Sequence, residues 1–344
     1  MSEPDPVYLF GEKATGKSTL SRLFDGHPEL AVSPLHDYLV NAFATAGPDR
    51  DIWIEEDGDR FLNSNKFRRI LSNSGYYKWL DASIRGWYDY PSVAGEYVRF
   101  QLDSLDFCEF EDTWLSRINA GPTPEFEEIL NVIYDSFFDC WGNYDYDSDE
   151  CRYFVSWSYV SETTSIEYLL EEYRDSRAIF IERDPRGIVA AKAADRSDDL
   201  REILTDGKVF DMLEFYADVR ELQREYPDRL RVVSFEDLIL NPSETVEDLR
   251  EFLDISPDPI LDEVTFCGEV IEMDTPHFGR INDDYDEILS RSEKRIVDLQ
   301  IGEATVLSAR PDESFVYARS YVNWRKRRAW ERLKDVALRV DRYM

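Results

Sequence analysis

The chain has little lysine, little histidine and few cysteines, and each shortage narrows what it can be. Nine of its 40 basic residues are lysine, against 72 acidic residues and a formal net charge of −32. Such a surface cannot neutralise a phosphate backbone, which argues against sequence-general nucleic-acid binding. The four cysteines, Cys108, Cys140, Cys151 and Cys267, form no C-x-x-C pair and no metal-ligand spacing. They read as small buried thiols, and no metal site is expected. No apolar run approaches the roughly 20 residues a membrane span needs. Residues 1–10 are acidic and proline-bearing, unlike a signal peptide, so the expected location is the cytoplasm.

What is present is a folded composition: 43% hydrophobic and 14% aromatic over 344 residues. That length can bury a substantial core, so the acidity does not signal disorder. Acid distributed along the whole chain fits solubility in concentrated salt, where like-charge repulsion is screened over a few ångströms. The expectation is a protein of an extremely halophilic cytoplasm.

The most specific motif is Gly11-Glu12-Lys13-Ala14-Thr15-Gly16-Lys17-Ser18, directly after the apolar run Val7-Tyr8-Leu9-Phe10. A strand, a glycine-rich turn and the helical pattern Ser18 to Phe24 are the context that makes G-x-x-x-x-G-K-[ST] a phosphate-binding loop. Backbone N–H groups, the opening helix and the Lys17 charge all favour an anion there.

Further along, Leu30-Ala31-Val32 reads as a second strand and residues 48–75 as polar loop. Residues 76–150 are dense in aromatics with recurring helical periods. Phe126, Ile129, Leu130, Ile133, Phe137 and Trp141 share one helix face, and the region is expected to be a helical insertion. Strand and helix then alternate: Tyr153 to Trp157, Ser165 to Tyr173, Ala178 to Ile181, 186–194, 207–226, Arg231 to Phe235 and 243–253. This alternation predicts an α/β fold, a three-layer P-loop-like parallel sheet flanked by helices, with ligands at the carboxyl ends of its strands. Residues 315–344 differ, carrying nine basic and three acidic side chains. Trp330, Leu333, Ala337, Val340 and Met344 follow helical spacing there. A basic amphipathic C-terminal helix is expected, packed on the acidic domain 1–314 or set against an anionic membrane surface.

Three segments together resemble the sulfotransferase family, whose members use 3′-phosphoadenylyl sulfate (PAPS). Gly11 to Leu30 is similar to the family's G-x-P-R-S-G-T-T-L-L…H-P-E-I pattern, with His27-Pro28-Glu29 in register. Ile179 to Arg186 resembles its strand-then-R-D-P-R segment. Val233 to Pro242, followed by Phe252-Leu253, resembles its Y-E-D-L…P…F-L segment. The resemblance implies that Gly11, Ala14, Thr15, Gly16, Lys17, Ser18 and Thr19 belong to the cradle of the 5′-phosphosulfate. It further implies that Lys13 or Lys17 neutralises the bridging oxygen as the sulfuryl group leaves. Arg183 matches the contact to the 3′-phosphate, Phe235 lies near the base, and Arg280 is a candidate additional cation. PAPS is then the co-substrate, with no metal required. The acceptor would be a hydroxyl of a glycan, a glycolipid or another small molecule.

This sequence also departs from the family pattern. Ala14 stands at the arginine position, Lys17 at a usual threonine, and Ala191 where relatives often place serine. Leu35 occupies the usual glutamate position, which makes neighbouring His36 the candidate general base, with Glu162 a second candidate. Two other readings stay open. One is a Mg-ATP-dependent kinase, with Ser18 on the metal and a carboxylate from Glu182, Asp184, Glu236 or Asp237. The other is a non-catalytic nucleotide-binding member of the family.

Overall fold

The computed structural model describes residues 4–34, 36, 39–46, 53–56, 59–62, 87–91, 97–101, 106–119, 126–141, 150–195, 208–266, 269–270 and 289–308. In chain order, the first elements are β1 (Asp5–Gly11), α1 (Lys17–Phe24), β2 (Leu30–Val32) and α2 (Leu39–Ala46). Strands β3 (Trp53–Glu56), β4 (Asp59–Leu62), β5 (Trp87–Pro91) and β6 (Tyr97–Gln101) follow, then helices α3 (Phe107–Asn119) and α4 (Phe126–Asp139). The alternation resumes with β7 (Tyr153–Tyr159), α5 (Thr164–Glu172), β8 (Arg177–Glu182), α6 (Pro185–Asp195), α7 (Lys208–Glu225) and β9 (Leu230–Ser234). Helices α8 (Phe235–Leu240) and α9 (Pro242–Leu253), strands β10 (Thr265–Phe266) and β11 (Glu269–Val270), and helix α10 (Arg291–Ser308) complete it.

The chain divides into two compact units, residues 1–182 with 221–281, and residues 183–220 with 282–344. In the first unit five strands form a sheet in the order β2-β7-β1-β8-β9, and every neighbouring pair is parallel. Central β1 is buried on both faces, which is why Val7 to Phe10 is continuously apolar rather than alternating. Alternate residues of a strand face opposite sides. Val7 and Leu9 join Leu20 and Leu23 of α1 and Val246 and Leu249 of α9 in one cluster. On the other side, the Tyr8 hydroxyl meets the Tyr134 hydroxyl of α4 at 2.5 Å, and Phe154 stacks on Phe138. Helix, sheet and helix therefore make the three expected layers.

Helix α4 is the predicted aromatic helix, and its apolar stripe packs on the sheet: Ile129, Leu130, Ile133, Phe137 and the following Trp141 are all buried. Its aromatics serve the core. Two features differ from the sequence reading. Residues 53–62, read as loop, contain the antiparallel pair β3–β4, with Glu56 opposite Asp59 across Asp57-Gly58. A two-residue Asp-Gly connection is a strong hairpin signal, and it outweighs the polar flanks. The region 76–150 is also not helical throughout, because β5 and β6 pair antiparallel there. Trp87-Tyr88-Asp89-Tyr90 is rich in residues that favour a pleated surface.

The second unit has its own small core of Val189 in α6, Val209 in α7, and Leu289 and Val297 in and before α10. Helix α10 lies in a stretch for which the sequence reading names no element. Arg280, Leu35 and the basic segment 315–344 lie outside the described residues. Among the described residues no helix is long and apolar enough to cross a membrane.

Candidate active site

The loop between β1 and α1 takes its shape from two glycines. Gly11 has φ 157°, and a Cβ there would come 2.5 Å from Thr15 Oγ1 and 2.7 Å from the Ile181 carbonyl. Gly16 is left-handed (φ 85°, ψ 14°) and stands at the N-cap of α1. No side chain caps this helix, and its first turn holds no acidic residue. The positive end of the helix is thus left available to an anion. Thr15, wholly buried, donates its hydroxyl to the Glu12 carbonyl at 2.9 Å and braces the loop from inside. Ala14 is left-handed without being glycine (φ 69°), a conformation that costs an L side chain about 1 kcal/mol.

Lys17 is 2% exposed. Its ammonium donates to the Gly11 carbonyl at 2.9 Å, the Glu12 carbonyl at 2.5 Å and Thr15 Oγ1 at 3.3 Å. These contacts engage all three ammonium protons with the loop itself, so Lys17 ties the loop while placing its positive charge inside the curl. Lys13, half-buried in the same loop, is the second cation there.

The register of β1 with β7 sets Gly11 beside Tyr159, the last residue of β7. The Lys17 ammonium lies 4.4 Å from the centre of the Tyr159 ring, a cation–π contact. On the Tyr159 ring also stands His36, at 5.4 Å between centroids, and His36 meets Trp157 at 5.0 Å. Asn41 of α2 fixes the end of β7 by donating to the Tyr159 carbonyl at 2.9 Å. Lys17 and His36 therefore gather around one aromatic side chain at the carboxyl end of the sheet. Phe235 joins from β9's end, its ring lying on Gly16, where an added Cβ would meet Cδ2 at 2.5 Å.

The Arg183 segment belongs to the second unit. Asp184 accepts from the Arg186 N–H at 2.8 Å and Pro185 takes the first helical position, so the pair starts α6. Buried Arg183 folds back over that first turn: a Cβ on Gly187 would meet its Nε at 2.7 Å. Arg186 pairs with Asp184 and Asp298. Ala191 lies two turns into the same helix, and Glu162 is exposed ahead of α5. Similarly, Ser234 caps α8 by accepting from the Asp237 N–H, and its hydroxyl donates to Glu236 at 3.1 Å.

His27-Pro28-Glu29 is at the opposite end of the sheet, before β2. His27 Nε2 meets the Ser256 carbonyl at 2.9 Å, while Glu29 accepts from the Ser256 N–H at 2.7 Å and from Arg152 at 3.1 Å. Burial pushes the Glu29 carboxyl up, but the Ser256 hydrogen bonds and Arg152 outweigh it and leave it below its usual range. This motif clasps β2 and β7 to the end of α9 and takes no part in the loop site.

The sulfotransferase family model matches residues 6–259, which spans all three motif segments. The chain belongs to the sulfotransferase family. A search of the curated proteins finds no match. Among solved structures, it is similar to the sulfotransferase domain from the curacin biosynthetic pathway, at 13% identity and a TM-score of 0.47, over 87% of this chain and 98% of that one. A sulfotransferase from Alicyclobacillus acidocaldarius aligns at 14% identity and a TM-score of 0.42, over 91% and 98%. Retinol dehydratase in a complex with retinol and PAP aligns at 11% and 0.39, over 88% and 82%.

Sequence reasoning did not single out Tyr159 and Trp157, whose rings stand against Lys17 and His36 at the candidate site. The signal was available in principle: both close the strand that neighbours β1, at the sheet end where ligands of such folds bind.

Proposed function

We propose that this sulfotransferase moves the sulfuryl group of PAPS to a hydroxyl of a carbohydrate or glycolipid acceptor. The observation that carries this reading is the meeting of a glycine-shaped anion cradle and an imidazole on one ring, Tyr159. In the transfer the acceptor oxygen forms a bond to sulfur as the bond from sulfur to the bridging phosphate oxygen breaks in line. His36 takes the acceptor proton. The loop N–H groups, Lys17 and Lys13 hold the charge that grows on the leaving phosphate. Gly11, Ala14, Thr15, Gly16, Ser18 and Thr19 shape that cradle, Phe235 flanks the base, and Arg183, with Arg280, meets the 3′-phosphate through a guanidinium fork. As proposed, the step uses no metal. Of the four carboxylates a kinase could use, two have structural partners, Asp184 at the start of α6 and Glu236 on the Ser234 hydroxyl.

The protein is further proposed to work in a salt-rich cytoplasm, where a net charge of −32 is tolerated. Residues 1–314 form the catalytic part, and the segment 315–344 contacts an anionic membrane face that presents the acceptor. Deleting 316–344 then lowers co-sedimentation with anionic vesicles without altering nucleotide binding. The transfer itself is tested by incubating the protein with radiolabelled PAPS and glycan and lipid extracts in molar salt. Label in a hydroxyl sulfate ester, absent with His36→Ala, supports the reading; no labelled product overturns it.

A further inference from the structure

Gly187 is the third residue of α6 and the only glycine in that helix, whose other residues include four alanines. Its backbone is not left-handed, so no conformation there requires glycine. Inside a helix glycine is less favourable than any residue except proline, and alanine is the best. The preference that the rest of the helix follows is therefore broken at one position. A local rule broken in this way tends to serve a site rather than the fold.

The place of the missing side chain is taken by Arg183, one turn earlier. A Cβ on Gly187 would lie 2.7 Å from its Nε, 3.2 Å from Nη2 and 3.3 Å from Cζ. The guanidinium thus rests against the Gly187 α-carbon, and Arg183 is only 6% exposed. Its backbone is held too, the N–H donating to the Tyr216 hydroxyl of α7 at 3.4 Å. Gly187 and Ala191 share a helix face at i and i+4, and both are half-buried, so the shelf under the fork is not sealed over. Arginine has many rotamers, and fixing one costs entropy. A fork already seated when the ligand arrives loses less on binding. Any side chain at 187 would evict the fork, while the flexible arginine stem lets the helix itself persist.

We infer that Gly187 is a positioning residue: by leaving room for the Arg183 guanidinium, it sets how strongly the protein prefers a nucleotide with a 3′-phosphate over one without. This rests on the sulfuryl-transfer reading, in which Arg183 meets that phosphate. Gly187 acts only through Arg183.

The test titrates adenosine 3′,5′-bisphosphate and adenosine 5′-monophosphate into the full chain and into Gly187→Ala, by calorimetry in molar KCl with EDTA. Gly187→Ala is expected to bind the bisphosphate about 10- to 100-fold more weakly, the range of one charge-assisted hydrogen bond. Its affinity for the monophosphate stays that of the parent. Its Tm is expected at or above the parent's, since alanine suits the helix, so misfolding would not account for the loss. Phenylglyoxal labelling without nucleotide, followed by peptide mapping, reads the seat itself. In the parent Arg183 is labelled slowly beside exposed Arg220, and in Gly187→Ala it is labelled faster. A variant that keeps the parent's preference for the bisphosphate, or the parent's slow labelling at Arg183, overturns the role of Gly187. A parent chain with no preference between the two nucleotides overturns the donor reading instead, and the labelling alone then decides whether Gly187 seats Arg183.

Discussion

The ring of Phe235 lies directly on the α-carbon of Gly16, close enough that a Cβ would sit 2.5 Å from Cδ2. Two family segments more than 200 residues apart thus share one contact. Gly16→Ala has two costs: the left-handed backbone, and a collision with the ring. The backbone cost is about 1–2 kcal/mol. The collision adds about 1–3 kcal/mol. In a Phe235→Ala background only the backbone part remains. A double-mutant cycle by denaturant unfolding should give a coupling of about 1–2 kcal/mol in that direction.

Ala14 is left-handed at φ 69° without a glycine's freedom. Ala14→Gly relieves that strain and loses part of the gain to a more flexible unfolded chain. The net expectation is a stabilisation of about 0.5–1 kcal/mol, read from the urea midpoint at unchanged slope.

The clasp at the other end of the sheet supplies a pH dependence. The Glu29 carboxyl is held below its ordinary value of 4.5, against burial, by the Ser256 N–H and Arg152. A lowered folded value means the contribution is complete above the unfolded value and is lost as pH falls through the folded one. At pH 7, Glu29→Gln should therefore be less stable by about 1 kcal/mol, with little of that from Arg152, which is 43% exposed. The gap between the two proteins should close as pH drops below about 4.5. Urea unfolding from pH 7 to 3 measures it.

The thiols should separate by environment. Cys108 is exposed, whereas burial pushes Cys151 up to about 12 and raises Cys140 as well. At pH 8 iodoacetamide followed by peptide mapping should label Cys108 first and leave Cys151 unlabelled until the chain is denatured, since the thiolate is the reactive form.

Much of the fold was legible where local and global signals agree. Val7 to Phe10 followed by the glycine loop gives β1 and α1. The stripe Ile129, Leu130, Ile133, Phe137 gives α4, since a buried face repeats at helical period. The hairpin at 53–62 was obscured because its strands carry Glu55, Glu56, Asp59 and Arg60, which read as loop by polarity. The site was legible only in part. Its loop is contiguous in sequence, so spacing reveals it. The ring of Tyr159 reaches Lys17 through strand register, which no local pattern records. The same limit applied to His27 and Glu29, whose partners near Ser256 lie more than 220 residues away. Their job is to fasten the sheet, and motif membership alone could not distinguish that from contact with a ligand.

The central claim is that this cradle takes a 3′-phosphorylated adenosine nucleotide. Thermal unfolding in molar KCl with EDTA, with and without adenosine 3′,5′-bisphosphate, tests it most directly. At a hundredfold excess over Kd, binding adds about 2.7 kcal/mol and a rise in Tm follows, abolished by Arg183→Ala in a chain that remains folded. No rise with that nucleotide, together with a rise that requires Mg-ATP, would contradict the account.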